Sequence, residues 1–195
     1  MTISKTKRAA PMSAEDRREM ILDVVVPLLL EHGTGVTSRQ IAQAAGIAEG
    51  TIFRVFGDKD SVVSAAIDKY FDPEPFREQL RHISPEWSLD VKLRELIRLM
   101  RERFTGIFRL ASVIGPRHPD RRDQRQVYAS IVADFLAPDL ERLTLPPVRV
   151  AHIVRLLTFA SAFPMVNAGI EFDDAELAHI IMHGVVGAPR SESQG

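Results

Sequence analysis

Residues 37–70 read TSRQIAQAAGIAEGTIFRVFGDKDSVVSAAIDKY, and this stretch decides the fold. Thr37 followed three positions later by Gln40 has the form of a capping box at the start of a helix. The helix is expected to end near Gly46, because glycine tolerates the left-handed backbone of a tight turn. A further helix is predicted over 48–55. Asp58 then reads as the N-cap of another, with Val63, Ala66, Ile67 and Tyr70 on one face. Two short helices joined by a turn match the helix-turn-helix arrangement, whose second helix lies in the major groove of DNA. Ile41, Ala45, Ile47, Ile52 and Phe56 are expected to seal the pair against a preceding helix, and the small Ala42 and Ala45 to permit close approach. Such a pattern also arises by chance in helical proteins, so it does not stand alone.

Upstream, Ile21, Val24, Val25 and Leu28 recur at helical spacing, with Ser13 and Asp16 as a capping signature and Gly33 as a stop. Pro27 lies inside this helix, where it removes a hydrogen bond and is expected to kink it. Downstream, the prolines of FDPEPF break the pattern after Tyr70 and mark a domain boundary near 72/73. Ser84-Pro85 resembles a cap with proline at the first helical position. Leu89, Leu93, Leu96, Ile97, Met100 and Phe104 form the next stripe, closed at Gly115-Pro116. Pro119 opens a helix carrying Tyr128, Ile131, Val132 and Phe135. Pro146-Pro147 introduces one expected to run to residue 168, bent at Pro164. Asp173 and Glu176 form a capping box before Leu177, Ile180, Ile181 and Gly184. No strand pattern, repeat or low-complexity tract interrupts the series. The fold class is all-α.

A chain of 195 residues with 45% hydrophobic content is long enough for one domain or two small ones. Its longest apolar run, Val24 to Leu30, contains Pro27 and is too short to span a bilayer. The start, MTISKTKRAAPMS, lacks the apolar stretch of a secretory signal, and the absence of cysteine excludes disulfides and thiolate metal sites. A cytoplasmic location without membrane association is expected. The formal net charge is −1, and residues 1–60 carry eight Lys/Arg against eight Asp/Glu, so charge alone does not mark a nucleic-acid binder. Distribution supplies what the total does not. Lys5, Lys7 and Arg8 form a basic arm, read as flexible over 1–12, and Arg39, Arg54 and Lys59 fall in or beside the motif.

The wider pattern is more specific. A long first helix, T-x-x-x-I-A-x-x-A-G from Thr37 to Gly46, G-T-I-F-x-x-F from Gly50 to Phe56, then Asp58-Lys59 and an apolar helix, resembles the N-terminal domain of TetR-family repressors over residues 13–70. The rest of the chain fits that family in length and class. The resemblance implies a three-helix DNA-binding domain over 13–72, linked by its fourth helix to an effector-binding and dimerisation domain over 73–187, with a disordered tail at 188–195. It implies double-stranded operator DNA as partner, and contacts from Thr37, Ser38 and Arg39 at the start of the second helix. Ala48, Glu49, Gly50 and Thr51 correspond to the leading turn of the recognition helix, Phe53 and Arg54 to DNA-reaching positions, and Lys59 to a phosphate-binding lysine. Three features depart from the family pattern. Phe53 stands where tyrosine is common, Ala48 replaces a hydroxyl cap at a cost of about 1 kcal/mol, and Pro27 interrupts the first helix.

In the C-terminal half, Val150, Ile153, Val154 and Leu157 form one apolar stripe, and His152, Leu156, Phe159 and Phe163 another. Such a helix needs partners on both sides: a single surrounding core, or one face inward and one against a second subunit across Ala160, Ser161 and Ala162. The resemblance favours a homodimer through helices near 148–168 and 174–186, which would place two recognition helices on a palindromic operator. Trp87, Met100, Phe104, Phe108, Phe135, His152, Phe159 and Phe163 are the candidate lining of an effector pocket, whose small-molecule ligand would be apolar or aromatic. Arg117, His118, Arg121, Arg122 and Arg125 read as a solvated basic cluster, with an acidic ligand or DNA as the sharper alternative. His179 and His183 are spaced i, i+4, but HIIMH lacks a zinc protease's glutamate and a third ligand, so no metal is expected. Nor is there a nucleophile elbow, phosphate loop or dinucleotide fingerprint, and no cofactor is implied. A ligand-released repressor is therefore the first reading. A helical protein-interaction module and, behind it, a small helical enzyme are the alternatives.

Overall fold

The computed structural model describes residues 12–115, 122–167 and 169–184, all in helices and their connections. The basic arm, the C-terminal tail and Arg117–Arg121 of the basic cluster lie outside the described residues, as do the side chains of Arg122 and Arg125. The chain forms two compact units, Met1–Asp72 and Pro73–Gly195. No single helix among the described residues is long and apolar enough to cross a membrane.

The first unit holds α1 (Ala14–His32), α2 (Ser38–Ala44), α3 (Glu49–Phe56) and α4 (Lys59–Phe71). Ser13 Oγ caps α1 by accepting from the Asp16 N–H at 2.9 Å, and Gly33 ends it with φ 67°. The buried face is Ile21, Leu22, Val25, Val26 and Leu29, one position round from the expected stripe, since Val24 and Leu28 are half-buried. Residues 24–30 are apolar on every side apart from Pro27, so hydrophobicity does not set the phase there. The exposed Asp23, Pro27 and Glu31, spaced i, i+4, i+8, set it instead. α1 runs unbroken through Pro27, on the side where water can serve the carbonyl left without a partner. Opposite α1, α4 buries Val62, Ala66 and Ile67, with Val62 in place of the expected Val63. Lys69 of α4 donates to Asp23 Oδ1 at 2.6 Å and also pairs with Glu19. These α1 carboxylates hold its pKa above the usual lysine value.

The second unit holds α5 (Glu74–Arg81), α6 (Leu89–Ile114), α7 (Arg122–Leu136), α8 (Pro147–Ala162), α9 (Pro164–Asn167) and α10 (Asp174–His183). The prolines of FDPEPF start α5 as well as ending α4. Pro73 is its N-cap and Pro75 sits in its first turn, where no intrahelical N–H is required. Ser88, not Ser84, caps α6, while Ser84 Oγ accepts from Glu86 within the preceding turn. α6 packs against α8 and α10, and α7 against α5 and α8. Their shared core includes Leu93, Leu96, Ile97, Val132, Phe135 and Val154. The buried Tyr128 donates its hydroxyl proton to the Ala151 carbonyl at 3.1 Å, and burial pushes its pKa up. α8 stops at Ala162 instead of bending, because Phe163 precedes Pro164 and takes an extended conformation (φ −96°, ψ 108°). A reciprocal capping box between Asp173 and Glu176 starts α10, and Asp174 accepts from Arg101 of α6 at 2.8 Å.

Two polar features lie inside this unit. Lys92 of α6, only 1% exposed, donates to Asp139 Oδ2 at 2.8 Å, and Arg142 donates to Oδ1 of the same carboxylate at 3.0 Å. Thr158 of α8 is fully buried, and its hydroxyl has no hydrogen-bond partner among the described residues. Replacement by the near-isosteric valine removes that desolvated hydroxyl. Thr158→Val is expected to stabilise the unit by about 1 kcal/mol, read as a higher urea midpoint. An unchanged or lower midpoint would show that the hydroxyl is served by water.

Candidate nucleic-acid interface

The helix-turn-helix is built from local hydrogen bonds and one buried anchor. Thr37 Oγ1 accepts from the Gln40 N–H at 3.2 Å, while Gln40 Oε1 accepts from the Thr37 N–H at 2.9 Å and from its hydroxyl at 2.8 Å. The box starts α2, and it occupies the hydroxyl proton of a residue expected at phosphate. α2 ends at Ala44. Gly46, at φ 65°, then lets the Ile47 N–H return to the Ala42 carbonyl at 3.0 Å. No atom stands where a Cβ would go at Gly46, so the dihedral alone favours glycine there.

α3 has no side-chain cap, as alanine at 48 predicts. Its first turn is tied down by another bond: Ser38 Oγ of α2 donates to the Glu49 carboxylate. Ile52, fully buried, seats α3 beside α2 and α4, and Phe56 lies half-buried beneath the Arg18 guanidinium, 4.4 Å from the ring centroid. Ile41 and Ala42 are buried, and Ala45 and Ile47 half-buried, along the same seam.

Seating α3 on Ile52 turns the rest of the helix outward. Glu49, Gly50, Phe53 and Arg54 are exposed and Thr51 is half-buried. Phe53, 47% exposed, places a large aromatic ring at the surface of α3. Arg39 is exposed at the start of α2, and neither Arg39 nor Arg54 forms an ion pair with a described residue. Lys59 opens α4 with its ammonium 3.4 Å from Asp60, a solvent-exposed carboxylate. The adjoining cap, Asp58 Oδ1, accepts from Ser61 at 2.7 Å, and that bond holds its carboxyl below the usual range. The Ser38–Glu49 bond and the Arg18–Phe56 stack were not foreseen, because both depend on how helices distant in sequence cross.

In the second unit, Met100, Phe104, Phe108 and Phe159 line a cavity of about 310 Å³. The other four candidates lie elsewhere. Phe163 packs on Phe108 at 4.6 Å but is not in the lining. Phe135 belongs to the core, and Trp87, 42% exposed, sits in the turn before α6. His152 borders a broader depression with Arg149. Three arginines that sequence reasoning missed, Arg77, Arg103 and Arg155, also line the first cavity. Further along, Val148, Leu156, Leu157, Met165, Val166 and Ile170 leave α8, α9 and the following loop with large exposed apolar groups. The rings of His179 and His183 stand 4.7 Å apart on α10, and no metal-binding group of three or more His, Asp or Glu occurs among the described residues.

Residues 21–66 match the family of bacterial regulatory proteins, tetR family. Solved structures share the whole fold at low identity. A tetR-family transcriptional regulator from Streptomyces coelicolor is 21% identical, with a TM-score of 0.57 over 88% of this chain and 79% of its own. The fatty acid degradation regulator FadR from Bacillus halodurans is 18% identical, with a TM-score of 0.56 over 86% and 99%. FadR from Bacillus subtilis, solved in complex with stearoyl-CoA, is 17% identical, with a TM-score of 0.53 over 86% and 99%. These structures show the same all-α fold, and the family match covers the helix-turn-helix segment. Residues 21–66 therefore carry the helix-turn-helix segment of the tetR family of bacterial regulatory proteins, set in an all-α chain whose fold is similar to that of solved regulators of that family.

Proposed function

We propose that this protein is a cytoplasmic repressor that holds a palindromic operator as a homodimer and releases it when a small molecule enters the second unit. The observation that carries the operator reading is the exposed face of α3, with Phe53 and Arg54, together with the exposed Arg39 of α2, neither arginine having an acidic partner among the described residues. Arg54 is assigned to the major groove, Phe53 to apolar contact there, and Lys59 with Ser38 and Arg39 to phosphate. Thr37 acts first as a cap, and its contact with phosphate would exchange the Gln40 bond for a new one. Ala48, Gly50 and Thr51 form the close-approach turn, and Glu49 is suited to accept from a cytosine amino group. The exposed apolar residues of α8 and α9 support a dimer formed through this region and α10. Release follows if the effector binds better to a conformer whose two α3 helices no longer match adjacent grooves.

The test is a gel shift on an inverted repeat from the adjacent promoter. Arg54→Ala is expected to weaken binding by about 1–3 kcal/mol and relax sequence preference, and Lys59→Ala to reduce the salt slope by about 1. Unchanged affinity in both variants would remove the assignment. A helical interaction module, the alternative reading, would show no retention on nonspecific DNA at low salt.

A further inference from the structure

The cavity of the second unit joins two kinds of surface. One wall is aromatic: the Phe159 ring meets Phe104 at 5.4 Å and Phe108 at 5.3 Å, both edge-on. The other carries the guanidinium residues Arg77, Arg103 and Arg155, and among the described residues no aspartate or glutamate is in the lining. The nearby negative charge is shared out. Glu74 accepts from Arg77 at 3.1 Å and from Arg81 at 2.7 Å, so one carboxylate serves two guanidinium groups. Arg155, half-buried on α8, forms no ion pair with a described residue.

A neutral apolar ligand would strip water from Arg155 and return nothing, and a cation beside it would be repelled. An acid would gain charge-assisted, bidentate hydrogen bonds from a planar guanidinium in surroundings partly shielded from water. Building on the effector reading above, we propose that the cavity binds a compact organic acid, its carboxylate held by Arg155, its apolar body against Phe104, Phe108 and Phe159. The size agrees, since about 310 Å³ lies at the small end of the usual range for ligand pockets. This adds an acidic group to the apolar or aromatic ligand expected from sequence, in which only the aromatic residues are legible.

The test is calorimetric titration of the full chain with phenylalkanoic acids from phenylacetate to phenylhexanoate, each beside its matching alcohol and ammonium compound. At least one acid is expected to bind ~10-fold or more tightly than its alcohol, with the ammonium compound weakest. Arg155→Gln should abolish the preference for the acid while leaving affinity for the alcohol unchanged, which also shows that the variant is folded. Arg155→Lys, which keeps the charge, should retain part of the preference. Equal binding of acids and alcohols, no binding of any acid, or an acid preference that survives Arg155→Gln would overturn the proposal. Operator release is measured in parallel. Arg155-dependent acid binding without release would leave the acid site standing and count against the effector reading, whereas release by another compound without acid binding would do the reverse.

Discussion

Asp139→Ala is expected to destabilise the second unit by about 3–5 kcal/mol, a large fraction of the 5–15 kcal/mol that holds a typical domain together. The carboxylate is 7% exposed and is the hydrogen-bond partner of a lysine that is 1% exposed. Removing it strands the Lys92 ammonium inside the core, while Arg142, on the rim, merely returns to water. The loss therefore comes from an uncompensated buried charge more than from the worth of the bond. A paired replacement separates the two contributions. Lys92→Met combined with Asp139→Leu removes both charges and is expected to be neutral or stabilising, by up to about 4 kcal/mol. Urea unfolding of the three proteins decides the matter. If Asp139→Ala costs less than about 1 kcal/mol, water reaches the ammonium and the pair is not sealed.

Ile52→Ala is expected to cost about 2–5 kcal/mol in the first unit and to abolish operator binding at concentrations where the native chain is saturated. Ile52 is the one fully buried residue of an eight-residue helix that has no side-chain cap. Without it, α3 is held by its neighbours' half-buried contacts and by the Ser38–Glu49 bond, which is exposed. Exposed polar contacts cannot replace the lost apolar burial. Ile52→Val removes a single methylene, should cost about 0.5–1.5 kcal/mol and should preserve operator recognition. Two outcomes sink the argument: alanine tolerated without loss of stability, or DNA binding retained at native affinity in a destabilised protein. The second would mean that the groove-facing surface does not depend on how α3 is seated.

Both predictions concern residues of different legibility. Ile52 was readable because it lies within a compact motif whose spacing carries its own geometry, and the same holds for the boxes at Thr37/Gln40 and Asp173/Glu176 and for the cap at Asp58. Each of these is a contact across three residues, set by local backbone. Lys92 was not readable. A lysine in an apolar stripe looks like a snorkelling surface residue until Asp139, forty-seven positions away, is brought against it. The phase of α1 failed for another reason: a helix apolar nearly all round gives periodicity nothing to measure, and its exposed polar residues held the information. In FDPEPF the prolines have the look of breakers, although the first turn of a helix accepts them. The cavity was half legible. Its aromatic wall follows from stripes along α6 and α8, whereas Arg77, Arg103 and Arg155 come from three helices and look in sequence like ordinary surface charge.

The turn before α6 has an optical consequence. It holds Trp87, the chain's sole indole, and the first unit has none. Excitation at the red edge of protein absorbance therefore reports the second unit alone. A melt followed by indole emission should register Asp139→Ala strongly and be nearly blind to Ile52→Ala, while far-ultraviolet dichroism senses both. Divergence of the two curves in one variant and their coincidence in the native chain would measure how far the two halves unfold as one.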